Sequence, residues 1–205
     1  MSLLSWRKPK VTNTMPTNFI GRYYNKNVLY TWTPYIPLTY SSINYLEIGV
    51  ADGGNAIHVA NTYCKHPNSK LYCVDPWEDY DEYPEYKGHQ DIGWNTFQTN
   101  IRNSGSFEKF IVNRGLSDYV VPNFADNFFD IIYVDGNHQE DYVYRDGVMA
   151  LNKCKPGGYI VFDDYVPGQW DQTIRGIDRF QLDYKDHIEI VIKKTTTFQS
   201  IVRKK

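Results

Sequence analysis

The stretch Asn44-Tyr-Leu-Glu-Ile-Gly-Val-Ala-Asp-Gly-Gly-Asn55 decides the fold. Its first half is apolar and ends in Glu47-x-Gly49; Gly53-Gly54 then opens a helix. A strand that turns sharply into a helix through glycines lets a ligand approach bare backbone beside a helix N-terminus. The spacing is Glu-x-Gly-x-x-x-Gly, which departs from the Gly-x-Gly-x-x-Gly of pyrophosphate-binding turns. An acid and a wider glycine spacing suit a ligand with an amino-acid end and a nucleoside end.

Outward from this turn, strands alternate with helices. Segments 43–49, 70–75, 107–113, 128–135 and 159–162 read as strands, and 54–63, 92–103, 140–152 and 170–183 as helices. Ser117 is the expected N-cap of a further short helix to about residue 124. The near-continuous apolar run before Asp135 marks a strand buried on both faces. Lys153-Cys-Lys-Pro-Gly-Gly158 closes the helix before it, and segments 188–193 and 196–202 read as a terminal hairpin. The prediction is an α/β fold, a Rossmann-like, doubly wound, seven-stranded, mostly parallel sheet with an antiparallel C-terminal hairpin strand. Residues 1–40 read as an N-terminal tail and cover segment, and 41–205 as the domain proper. Segment 76–91, with Tyr80, Tyr83, Tyr86 and His89, reads as a loop or lid.

Composition narrows the function. A 205-residue chain with net charge −2 carries no basic footprint for nucleic acid. No apolar run reaches the roughly 18 residues of a membrane span, and the first ten residues hold too short an apolar patch for a signal peptide. Cys64, Cys73 and Cys154 are odd in number and lack metal-ligand spacing, so they read as reduced core residues of a cytoplasmic protein. The 18 tyrosines fit either a compositional bias or contact with sugars and other polar rings. His58, His66, His89 and His187 read as surface residues, with His89 close enough on the lid to meet a substrate.

The acids fall where an open α/β sheet binds ligands, beyond the carboxyl ends of its strands. Glu47 ends the first strand and Asp75 the second. Asp135 ends the fourth, and Asp163-Asp164 end the fifth. Asp75 is placed to accept two ribose hydroxyls; its other reading is a turn former. Asp135, Asp163 and Asp164 converge if the fourth and fifth strands are neighbours. Uncompensated carboxylates that close are costly, and a hard divalent cation relieves them. The alternative makes Asp163 a helix cap and Asp164 a solvated acid. His138, three residues after Asp135, suits a general base or a helix-start residue.

On Glu47-Ile-Gly49-Val-Ala-Asp-Gly53, Asp75 and the Pro156-Gly157-Gly158 turn, residues 43–165 resemble the class I S-adenosylmethionine-dependent methyltransferases. The resemblance implies a cofactor site around Glu47, Gly49, Ala51, Asp52, Gly53 and Asn55. It places Asp75 at the ribose and Trp77, Leu116 and Ser117 near the adenine, with Asp135 beside the cofactor. S-adenosyl-L-homocysteine would be the product. Asp135-Gly-Asn-His138 with Asp163-Asp164-Tyr165 resembles the macrocin-type sugar O-methyltransferases. That implies Mg²⁺ or Mn²⁺ on Asp135, Asp163 and Asp164, His138 as base, and a small-molecule or glycan acceptor such as a 6-deoxyhexose. It also fits one module of a longer glycan-assembly protein, and the oligomeric state stays open. A catechol-type or other phenolic O-methyltransferase is the nearest alternative. A nicotinamide-dependent sugar oxidoreductase would use Tyr83-Pro-Glu-Tyr-Lys87, but Pro84 opposes the helix that pattern needs. A silent binding module would have no need of the clustered acids.

Overall fold

Seven strands form one sheet in the order β3-β2-β1-β4-β5-β7-β6. They are β1 Asn44–Ile48, β2 Lys70–Asp75, β3 Phe110–Arg114, β4 Phe129–Val134, β5 Cys154–Phe162, β6 Ile188–Ile192 and β7 Ser200–Lys204. The structure, a computed structural model, describes residues 18–21, 31–79 and 87–205. Strands β1 to β5 pair in parallel; β7 runs antiparallel between β5 and β6. The main helices are α1 Gly54–Ala60, α2 Gln90–Asn103, α3 Ser117–Val120, α4 Glu140–Lys153 and α5 Asp171–Asp183. This is the doubly wound, mostly parallel architecture expected from the alternation of elements.

Strand alternation builds two apolar layers. Leu46, Ile48, Ile132, Val134, Ile160 and Phe162 face Val143, Ala150, Ile177 and Phe180 of α4 and α5. Tyr45, Ile131, Tyr133 and Val161 face the other way, against Val59, Tyr63, Trp32 and Ile36. A third cluster packs Val50, Ala56, Ile57 and Trp77 on Phe97 and Ile101 of α2. Trp32 and Ile36 are thus core residues although they belong to the segment expected to be a cover.

Several expectations shift. His58 is buried on α1, because its helix packs both flanks into the protein, and burial lowers its pKa. The expected surface position holds for His89 and His187, which are exposed. Pro156-Gly157-Gly158 lies inside β5, where the register slips between Phe129 and Ile131 of β4. A Cβ on Gly158 would lie 2.9 Å from the Asp130 carbonyl oxygen, so the bulge needs glycine there. Helix α3 starts at Ser117 itself, with Leu116 in the cap position; the Ser117 hydroxyl is engaged by Asp146 of α4. The three cysteines are free and buried. The middle of the expected lid, residues 80–86 with Tyr80, Tyr83 and Tyr86, lies outside the described residues, as do residues 1–17 and 22–30. Among the described residues, no helix is long and apolar enough to cross a membrane.

Candidate active site

Strand order reverses between β1 and β4, and the chain's unusual residues gather at that switch point. A row of backbone hydrogen bonds aligns the strand ends. Gly49 N–H donates to the Val74 carbonyl at 2.9 Å, Asp135 N–H to Ile48 at 2.8 Å, Asp163 N–H to Val134 at 3.0 Å and Gly115 N–H to Asp75 at 3.0 Å. The carboxyl edges of β1 to β5 therefore form one rim.

The glycine turn on that rim is preorganised. Asp75 Oδ2 accepts the N–H groups of Val50 and Ala51 at 2.8 and 3.0 Å, and its Oδ1 accepts Trp77 N–H at 2.8 Å. Trp77 Nε1 donates to the Ala51 carbonyl at 3.0 Å, and Asn100 Nδ2 to the Asp52 carbonyl at 2.8 Å. Burial raises the Asp75 pKa, and the three backbone donors oppose the shift. Gly49, at φ 80°, has no room for a side chain: a Cβ would lie 1.9 Å from the Asp135 carbonyl oxygen. At Gly53, a Cβ would lie 2.8 Å from the Phe97 ring. Both glycines are required by the protein's own packing, whatever ligand approaches them. Ala51 and Trp77 also hold positive φ, at 47° and 43°. Non-glycine residues pay about 1–3 kcal/mol for such backbone, a cost that concentrates at functional sites.

Glu47 lies below the turn, 1% exposed. It accepts hydrogen bonds from Tyr45 Oη at 2.5 Å and Asn55 Nδ2 at 2.9 Å, and also from the Ala56 backbone N–H. Ala56 belongs to the first turn of α1, so the carboxylate closes a helix N-terminus that has no side-chain cap of its own. Burial nevertheless pushes its pKa up to about 8. Trp77, 1% exposed, packs its ring on Trp94 and Phe97, while Leu116 is half exposed on the rim.

The second group lines a small cleft between the β4–α4 and β5–α5 loops, together with Gly136, Asn137, Phe162 and Thr173. Asp135, His138 and Asp164 each present one ligand atom, all within 4.8 Å of one another. His138 Nε2 lies 2.7 Å from Asp164 Oδ2, and its ring stacks on Trp170 at 4.5 Å between centroids. Thr173 Oγ1 donates to the His138 carbonyl at 3.1 Å. Asp164 holds φ 55°. Asp163 lines the same cleft but is outside that three-atom group; it accepts from the Tyr133 hydroxyl and from Gln199. Burial and the neighbouring acids raise the pKa values of Asp135 and Asp163. Two carboxylate oxygens and an imidazole nitrogen can hold a divalent cation; an all-oxygen set suits Mg²⁺ or Mn²⁺, and an imidazole nitrogen suits a softer transition metal.

Sequence reading did not single out Asn100, Trp170 or Asp146. Asn100 had a legible signal, an amide between Phe97 and Ile101 on an apolar helix stripe. Trp170 had none, since its contact with His138 is made only in the fold.

A mostly parallel sheet with a glycine turn and an acid cluster at its switch point describes a Rossmann-like α/β domain with a ligand site at that point. Residues 46–165 match the family model described as "Methyltransferase domain", and the chain belongs to that family. A protein of Acanthamoeba polyphaga mimivirus is 28% identical over 135 residues, 64% of this chain. The match covers 56% of the viral protein, so the chain spans about half the length of that relative. The O-methyltransferase TomG of Streptomyces achromogenes, solved with S-adenosylmethionine, superposes with a TM-score of 0.58 at 17% identity, over 80% of this chain and 74% of TomG. An O-methyltransferase of Bacillus cereus, solved with S-adenosylhomocysteine, gives 0.56 at 18% identity, over 80% and 76% of the two chains. The O-methyltransferase NovP gives 0.58 at 14% identity, over 79% and 72%. At these identities the solved structures establish the shared fold.

Proposed function

We propose that the protein transfers a methyl group from S-adenosylmethionine to a hydroxyl oxygen held against Asp135, His138 and Asp164. The observation that carries this reading is the meeting of the glycine turn and the acid–histidine cluster at one switch point, in a chain of the methyltransferase-domain family. The donor half takes the amino-acid end of the cofactor at Gly49–Asn55 and the ribose at Asp75, with Leu116 and Ser117 on the adenine side. After its three backbone bonds the Asp75 carboxylate keeps one lone-pair position, on Oδ1, for a ribose hydroxyl.

In the acceptor half, His138 takes the hydroxyl proton while Asp164 orients and charge-stabilises the imidazole. Trp170 fixes the ring plane. The acceptor oxygen forms its bond to the methyl carbon as the carbon–sulfur bond breaks, and the electron pair leaves on sulfur as S-adenosylhomocysteine. Placing the two reactants in line supplies most of the rate. Asp135, Asp163 and Asp164 would hold Mg²⁺ or Mn²⁺, which would lower the pKa of a bound hydroxyl and leave the proton transfer to His138. The 2.7 Å His138–Asp164 contact also favours a second reading, a metal-independent dyad. The acceptor class we infer is a sugar hydroxyl of the 6-deoxyhexose type.

A screen of glycan and phenol acceptors with labelled S-adenosylmethionine, read by mass spectrometry, tests the reading. Transfer to sugars is expected, and transfer only to phenols replaces the acceptor class. Chelator should abolish turnover and Mn²⁺ or Mg²⁺ restore it; full turnover under chelation selects the dyad. Calorimetric binding of NAD with none of S-adenosylmethionine would end the methyltransferase reading.

A further inference from the structure

Asn100 sits on α2 between Phe97 and Ile101, 1% exposed in an apolar cluster. Its amide serves two segments far apart in the chain. Oδ1 accepts the Ile20 N–H at 2.9 Å; Nδ2 donates to the Ile20 carbonyl at 2.5 Å and to the Asp52 carbonyl at 2.8 Å. One side chain thus satisfies both backbone groups of Ile20 and one carbonyl of the glycine turn. Phe19 packs on the same cluster as Val50 and Trp77. Gly21, at φ 146°, sits so close to Asp52 that a Cβ would lie 2.4 Å from its carboxylate oxygen. A buried amide is costly unless its bonds are made. Losing segment 18–21 therefore weakens the seating of the turn, and distorting the turn weakens the seating of the segment.

We propose that Asn100 is a positioning residue for the donor site, coupling the docking of residues 18–21 to the shape of the turn at 49–53 and hence to cofactor affinity. The inference rests on the turn being the S-adenosylmethionine site. No atom of Asn100 needs to touch the cofactor; it acts through the Asp52 carbonyl. Linkage makes the effect reciprocal: a ligand that fixes the turn tightens the segment by the same factor.

The test uses the full chain with S-adenosylhomocysteine as probe. Calorimetry on Asn100→Ala and Gly21→Val should show affinity weakened about fivefold or more. Hydrogen exchange at the Ile20 amide should slow when the probe binds the wild type, and the slowing should vanish in Asn100→Ala. Gly21→Val leaves Asn100 intact and carries the test if the other variant does not fold. Affinity within about twofold of wild type in a folded variant overturns the coupling, as does Ile20 exchange that ignores the probe. A wild type that binds no S-adenosylhomocysteine overturns the donor-site reading itself, and the coupling with it.

Discussion

Single residues of this site were legible as types before they were legible as partners. Acids at strand ends follow from sequence position, but the direction each carboxylate takes does not. Glu47 serves a helix terminus and Asp163 faces Tyr133, whereas Asp164 faces His138. Asp146 gave no local sign at all; it is a polar residue on α4 that the fold buries beside Ser117 and Gly136. Its carboxyl lies 3.1 Å from where a Cβ of Gly136 would be, and it accepts the Ser117 hydroxyl. Burial pushes its pKa up to about 7. Below the unfolded value near 4 the acid is neutral in both states and carries no penalty. As pH rises toward 7 the unfolded chain releases the proton and the folded chain keeps it, so this group lowers stability across that window, and the loss levels off above 7. Urea unfolding at pH 4.5 and 7.5 should show an Asp146-dependent loss on the order of a few kcal/mol. Asp146→Asn should remove that part of the slope, and a variant with the wild-type slope would show that the acid ionises freely.

At the scale of elements, alternation and turn chemistry located nearly every strand and helix, because each strand's period-two pattern meets a helix on either face. The ends were less legible. The β5 bulge depends on which backbone crosses it, and the α3 cap depends on a partner from α4, so neither is a local property. The glycines show the same division. Gly49 and Gly88 share nearly the same φ, 80° and 78°, yet a Cβ at Gly49 strikes the Asp135 backbone and one at Gly88 meets nothing within 4 Å. Gly88→Ala should therefore cost only the backbone term, about 1–2 kcal/mol. Gly49→Ala must push β1 from β4 and should cost more than about 3 kcal/mol. Denaturant midpoints of the two variants measure the difference, and equal losses would mean that the β1–β4 approach is not close-packed.

Across the whole molecule, the two ends of the described chain meet behind the acid cluster. Trp32 Nε1 donates to Gln199 Oε1 at 2.8 Å; Gln199 Nε2 donates to the Tyr133 hydroxyl at 3.3 Å, and that hydroxyl donates to Asp163. Trp32 also packs on Tyr63 and Tyr133. A residue of the amino-terminal segment and a residue of the last β-turn thus fix one carboxylate of the proposed acceptor half. The donor half is held from the other side, by Asp75, Trp77 and Asn100. The two halves share the rim but not their supports, so they should respond separately to mutation. Gln199→Leu keeps volume but leaves the buried indole N–H of Trp32 without its acceptor and removes one donor from the Tyr133 hydroxyl, which should cost about 1–3 kcal/mol. Because Tyr133 and Asp163 then lose their fixed geometry, turnover should fall about tenfold or more. The dissociation constant for S-adenosylhomocysteine should stay within about twofold, since no donor-side contact is touched. Calorimetry and single-turnover rates on the same preparation read both quantities. A parallel loss of cofactor affinity would show that the halves are one cooperative unit.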